Sequence, residues 1–202
     1  MLLWGFTQME TAADERMSTI KLSLQEGGAA GSLLVLGGAR SGKSRFAENA
    51  ITALPGPWIY LATGRAFDEE MRERIALHKR TRDKAGWQTV EEPLNVADVL
   101  RQHASTPVLL DCLTLWLTNL LLDGQEVDAP TRALLASLCA RTAPTVLVGN
   151  EVGLGIVPQS PLGRRFRDEA GRLHQTLAAC VGKVAFVAAG LPMVLKNEGA
   201  AP

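Results

Sequence analysis

The chain has 202 residues, 47% of them hydrophobic and 21% charged, enough to bury one ordinary core without requiring a second domain. Lys plus Arg and Asp plus Glu each number 21, which excludes a binder of nucleic acid or anionic membrane that works by bulk charge. Any charge this protein uses is local.

Residues 1–31 hold no sustained periodicity and close on a Gly-Gly-Ala-Ala-Gly run, so they are expected to be a poorly ordered extension before a single domain over 32–202. MLLWGFT carries neither a basic nor a long apolar region, no stretch is apolar enough to span a bilayer, and a cytoplasmic protein is expected. From Ser32 five short apolar runs follow one another: 32–37, 58–63, 107–112, 145–150 and 184–189. Each is nearly continuous in Val, Leu, Ile or Ala rather than alternating, as strands buried on both faces of a parallel sheet require. Between them lie helical stretches at Lys43 to Thr52, Asp68 to Lys84, Val96 to Ala104, Leu113 to Leu122, Thr131 to Arg141 and Leu162 to Val181. This alternation predicts a three-layer α/β fold whose working loops sit at the carboxyl ends of the strands. Cys112, Cys139 and Cys180 lack CxxC or His-rich spacing, support neither a disulfide framework nor a zinc site, and read as small buried hydrophobes in a reducing compartment.

Directly after the first run stands Gly37-Gly38-Ala39-Arg40-Ser41-Gly42-Lys43-Ser44, which satisfies GxxxxGK[ST] in the strand, loop, helix context that gives the pattern its meaning. Glycines let successive N–H groups converge on phosphate oxygens, and the helix N-terminus adds the positive end of its dipole. Lys43 is expected to reach the β and γ phosphates and Ser44 to ligate Mg²⁺. A second acid for the metal is available in Asp111, at the end of Val108-Leu109-Leu110. The same residue also suits an N-cap for the helix from Leu113.

In the Asp68 to Lys84 segment acids fill the first turn and bases the last, matching the helix dipole. Met71, Ile75, His78 and Arg82 share one face, so His78 turns toward the apolar side, where a histidine commonly packs. Lys79, Arg80 and Arg82 also place cations within a turn of it. Nearby positive charge favours a neutral ring, and a neutral imidazole beside bases that hold a polyphosphate can attack an α-phosphate.

Several segments together carry a resemblance: GGARSGKSRFAE, YLATG, DEEMRERIALHKRTR, WQTVEE, LLDCLTLWLTNLL, NEVGLGIVP, GRRFRDEAGRLHQ and AGLPMVLK. In identity and order they resemble the bifunctional adenosylcobinamide kinase and adenosylcobinamide-phosphate guanylyltransferase family of cobalamin biosynthesis, from about Leu33 to Lys196. The resemblance implies a RecA-like P-loop sheet, mostly parallel and flanked by helices, and a cytosolic homotrimer with active sites between subunits. It implies ATP and GTP as substrates, adenosylcobinamide and its phosphate as acceptors, and His78 as the guanylylated residue. Its nucleotide-binding positions map onto Gly37 to Ser44, Ala62-Thr63-Gly64, Lys79-Arg80-Thr81-Arg82, Glu91 and Asp111. His174 is expected on a helix surface or interface. Arg164, Arg165 and Arg167 are either phosphate ligands from a neighbouring subunit or an exposed helix start, and the Asn150 to Pro158 loop either shapes the corrinoid site, makes a subunit contact or is a solvated turn. The rival readings are a small-molecule P-loop kinase without guanylyl transfer and a RecA-like nucleic-acid-binding ATPase, the second opposed by the absence of net charge.

Overall fold

The computed structural model describes Leu24, residues 27–65 and residues 86–198. His78, its expected helix Asp68 to Lys84, and Lys79, Arg80, Thr81 and Arg82 lie outside the described residues, as do residues 1–23. The described elements in chain order are β1 (Leu33–Gly37), α1 (Lys43–Thr52), β2 (Trp58–Ala62), β3 (Trp87–Glu91), α2 (Val96–Gln102) and β4 (Val108–Asp111). They continue with α3 (Leu113–Leu122), α4 (Asp128–Ala140), β5 (Thr145–Asn150), α5 (Pro161–Cys180), β6 (Lys183–Ala188) and β7 (Leu191–Asn197).

The strands form one sheet in the order β3-β2-β4-β5-β1-β6-β7, parallel throughout except that β7 returns antiparallel to β6. The five apolar runs occupy its centre, where both faces are covered and continuous hydrophobicity is needed. Two edge strands escape that signal. In β3, Trp87-Gln88-Thr89-Val90-Glu91 is buried only at its first residue, and β7 exposes most of its side chains. The turn into β7 has positive φ at both Ala189 (53°) and Gly190 (79°), the twist that a two-residue hairpin demands.

The register sets what faces what. Asp111 pairs with Val148, which stands beside Val35, so these residues share one face of the sheet. That face carries Tyr60, Val35, Val148 and Ala185 and packs against Phe46, Ala47 and Ile51 of α1. The other face carries Leu34, Leu36, Leu61 and Leu110 against α2, α3, α4 and α5, with Trp116 fully buried among them. The helices after β1 and β5 therefore leave on opposite faces although the two strands are neighbours. A crevice at the carboxyl ends of such strands is where open α/β sheets take ligands.

Leu24 is 3% exposed and joins the α1-side core, and residues 27–31 form a turn closed by Gly31 N–H to Gly27 O and by Ser32 Oγ to Gly28 O (2.7 Å). Of the three cysteines only Cys112 is buried, while Cys139 is exposed and Cys180 partly exposed. The expectation of three buried hydrophobes is corrected for these two, because both sit in the last turns of helices, where the chain leaves the core.

Candidate nucleotide site at the carboxyl edge of the sheet

β1 ends at Gly37, and the chain turns through Gly38 to Gly42 into α1. Only glycine fits at 37, since a Cβ there would stand 2.4 Å from Val187 O and 2.7 Å from Ser41 Oγ. The loop is held from outside as well. Gly190 N–H donates to Ser41 O (2.8 Å) and Glu151 N–H donates to Gly37 O (3.0 Å), so the β6–β7 hairpin and the segment after β5 clasp it from two sides. Ala189-Gly190 between two apolar runs is a local signal for the hairpin itself, but not for its bond to the loop.

The start of α1 suits an anion. Gly42 is its N-cap, no side chain caps it, and its first turn holds no acid, so its leading N–H groups have no local acceptor. Backbone donors and the positive helix end there meet a cavity of about 410 Å³ lined by Arg40, Ser41, Gly42, Lys43, Ser44 and Arg45. Lys43 Nζ donates to Gly38 O at 3.1 Å, which holds the ammonium across the loop. Among the described residues Ser41 Oγ is buried without a hydrogen-bond partner, a costly arrangement for a hydroxyl in a finished core.

Asp111 ends β4. This strand is not the immediate neighbour of β1, because β5 lies between them, which sets Asp111 roughly 10 Å to the side of the loop strand at ordinary strand spacing. Its carboxylate lies on the α1 face of the sheet, where Oδ2 accepts a hydrogen bond from Tyr60 Oη at 2.6 Å. The N-cap reading is corrected: Cys112 occupies the N-cap of α3 and contributes no side-chain bond. Tyr60 itself packs edge-on to Trp87, ring centroids 5.9 Å apart, so the phenol that holds Asp111 is braced by the edge strand. The Asp111 carboxylate and the hydroxyl of Ser44, in the first turn of α1, are hard oxygen donors, the kind Mg²⁺ takes.

Ala62-Thr63-Gly64 follows β2. Thr63 Oγ1 donates to Cys112 O (2.7 Å) and accepts from Cys112 N–H (2.9 Å), while Asn119 Nδ2 donates to Thr63 O (2.8 Å). This buried lattice ties the strand end to the start of α3. Glu91 pairs in register with Ala62 and reaches the same edge on the exterior strand. Arg65 then forms a two-pronged ion pair with Asp123 (2.7 and 2.8 Å), which holds the Asp123 carboxyl below its ordinary range and anchors the chain where it leaves the described residues.

Gly37 to Ser44, Ala62 to Gly64, Glu91 and Asp111 thus share one edge of the sheet. The Arg164, Arg165 and Arg167 side chains are engaged locally: Arg164 donates to Pro158 O (3.2 Å) and Gln159 O (2.6 Å), Arg165 pairs with Glu126 (3.2 Å), and Arg167 pairs with Asp168. His174 is 8% exposed, on the inward face of α5 with its Nε2 close against Gly149. The surface placement expected for it is corrected, because its spacing from Ala170 and Leu177 carries it onto the buried stripe.

A Walker-type loop between a parallel strand and a helix, with an acid two strands away on the α1 side of the sheet, defines an α/β protein of P-loop NTPase-like fold. Residues 33–195 match the model of the cobinamide kinase / cobinamide phosphate guanyltransferase family. The chain belongs to that family and is a transferase of cobalamin biosynthesis. It is 52% identical over 169 residues to the bifunctional adenosylcobalamin biosynthesis protein CobP of Pseudomonas aeruginosa, covering 82% of this chain and 97% of that one. It is 39% identical over 181 residues to CobU of Escherichia coli and 41% identical over 184 residues to CobU of Salmonella typhimurium, both bearing the same bifunctional description. Each of these comparisons covers 81% of this chain and 99% of the relative. A solved structure from Pyrococcus horikoshii is similar in fold, with a TM-score of 0.52, 8% identity and coverage of 90% of this chain and 92% of that one.

Proposed function

We propose that the chain carries out two successive reactions on the same corrinoid. In the first, the hydroxyl of the aminopropanol arm of adenosylcobinamide attacks the γ-phosphorus of ATP or GTP and the nucleoside diphosphate leaves. In the second, a ring nitrogen of His78 attacks the α-phosphorus of GTP and pyrophosphate leaves. The phosphate oxygen of adenosylcobinamide phosphate then attacks that phosphorus, freeing His78 and giving adenosylcobinamide-GDP. The single observation that carries this reading is the P-loop at the carboxyl edge, in a chain of the kinase and guanyltransferase family.

The residues divide the work by chemistry. Backbone N–H groups of Gly38 to Ser44 hold the phosphates, and Lys43 swings from Gly38 O to the leaving oxygen. Ser44 and Asp111 would hold Mg²⁺, with Tyr60 fixing the direction of the carboxylate. When bound, the metal neutralises phosphate charge. Ala62, Thr63, Gly64 and Glu91 bound the site on its far side, and the segment with His78, Lys79, Arg80, Thr81 and Arg82 departs from this edge at Arg65. The protein works in the cytoplasm as a homotrimer, and Leu154 (84% exposed) and Ile156 (98%) offer an apolar contact surface beside the nucleotide loop.

Two variants test the division. His78→Ala is expected to lower guanylyl transfer to background while phosphoryl transfer survives, and Lys43→Ala to lower phosphoryl transfer at least about 100-fold. Guanylyl transfer that persists without His78 overturns the covalent step and favours another route. Phosphoryl transfer unchanged without Lys43 removes the P-loop from the reaction.

A further inference from the structure

Cys139 lies in the last turn of α4 and Cys180 is the last residue of α5, yet their sulfurs stand 4.0 Å apart, each within hydrogen-bond reach of the other. The two cysteines are separated by 41 positions along the chain, so this proximity is tertiary. One sulfur is exposed and the other partly so, which lets a small reagent reach the pair from solvent. Disulfide formation requires the sulfurs to close from 4.0 Å by about 2 Å.

The surroundings make this corner a junction. Lys196 Nζ of β7 donates to Ala178 O (3.0 Å) at the end of α5, and Gly182 N–H donates to Ala29 O (3.1 Å). The turn over 27–31 approaches Cys139 O through Gly28. All of this lies at the amino ends of the strands, the opposite edge from the nucleotide loop. Neither cysteine serves in the proposed reactions.

We propose that Cys139 and Cys180 form a reversible dithiol–disulfide site that fastens the ends of α4 and α5, with low-molecular-weight disulfides as its oxidant. Cys139, the more exposed, attacks one sulfur of the small disulfide as thiolate, and the other sulfur leaves as a thiol after taking up a proton. Cys180 then loses its proton and attacks the Cys139 sulfur of the mixed disulfide, expelling the second small thiol. The two cysteines are oxidised by two electrons, and one small disulfide is reduced to two thiols. Burial, the Cys139 sulfur and its hydrogen bond push the Cys180 thiol up to about 11, with Lys196 pulling weakly the other way, so the second step quickens as pH rises. The resulting loop encloses β5, the Asn150 to Pro158 segment and α5, constraining a long stretch of the unfolded chain.

The full chain is incubated with oxidised glutathione, then examined by intact mass, thiol titration after denaturation, and non-reducing gel. The expected product is a chain not covalently linked to another, lighter by the two thiol hydrogens, retaining one thiol at Cys112 and melting several degrees higher, with phosphoryl transfer unchanged. A reductant restores the lost thiols, and Cys139→Ser or Cys180→Ser prevents the closed product. A wild-type chain that instead keeps a glutathione adduct at Cys139, forms linked dimers, or closes without a higher melting temperature overturns the proposal.

Discussion

The two edges of the sheet handle buried cations differently. At the amino edge, the Arg141 guanidinium is 4% exposed and donates to Leu100 O (2.7 Å), His103 O (3.1 Å) and Thr106 O (2.5 Å), satisfying carbonyls where α2 ends. Lys183 Nζ reaches Ala30 O (3.4 Å) across the chain. At the carboxyl edge, Lys43 is nearly as buried, but its Nζ bonds a carbonyl of its own loop, five residues back. Bonds of the first kind sew distant elements together, whereas the second is local and can be exchanged for a phosphate oxygen. Burial alone therefore does not distinguish these two cations; the sequence distance to their partners does.

The sharpest way to break this contrast is to remove each cation and compare activity with stability. Lys43→Ala is expected to lose at least about 100-fold in phosphoryl transfer while costing only about 1 kcal/mol in urea unfolding. Arg141→Ala is expected to do the reverse, losing about 3 kcal/mol because the freed carbonyls of α2 and its following turn stay buried without donors. Its folded fraction should turn over normally. Equal stability losses in the two variants would erase the distinction. Arg141 also sits in surroundings that push its guanidinium down to about 10 through burial, which leaves it charged at neutral pH.

A smaller effect concerns His174, whose imidazole burial holds below its ordinary value of 6.5, with Glu151 partly opposing. As pH falls through 6.5 the unfolded chain takes the proton first, so stability falls with acidification and rises with pH in that window. His174→Gln is expected to flatten this acid limb of the urea-unfolding profile. An unchanged slope would place the titration elsewhere.

How much of this was legible in the residues follows from how each signal arises. The central strands announce themselves because double-sided burial demands unbroken apolar runs, and the phosphate loop because Gly37 has no room for a side chain. By contrast β3 and β7 are half-solvated edges, where Gln88, Glu91 and Lys196 break the pattern although the backbone pairs normally. Asp111 was found by its place at a strand end, yet its partner Tyr60 lies 51 residues away on another strand, so only register could join them. The same holds for Gly190 on Ser41 O and for the Cys139–Cys180 pair. Contacts between elements distant in sequence leave no local trace.

We propose that one chain uses the P-loop for phosphoryl transfer and His78 as a covalent carrier of GMP. Incubating the protein with α-labelled GTP, quenching in denaturant and mapping the peptides tests it most directly. Acid-labile, base-stable label is expected on the peptide containing His78, and none in His78→Ala. Label on any peptide lacking His78, or an unlabelled wild-type chain that still forms the guanylylated product, would contradict it.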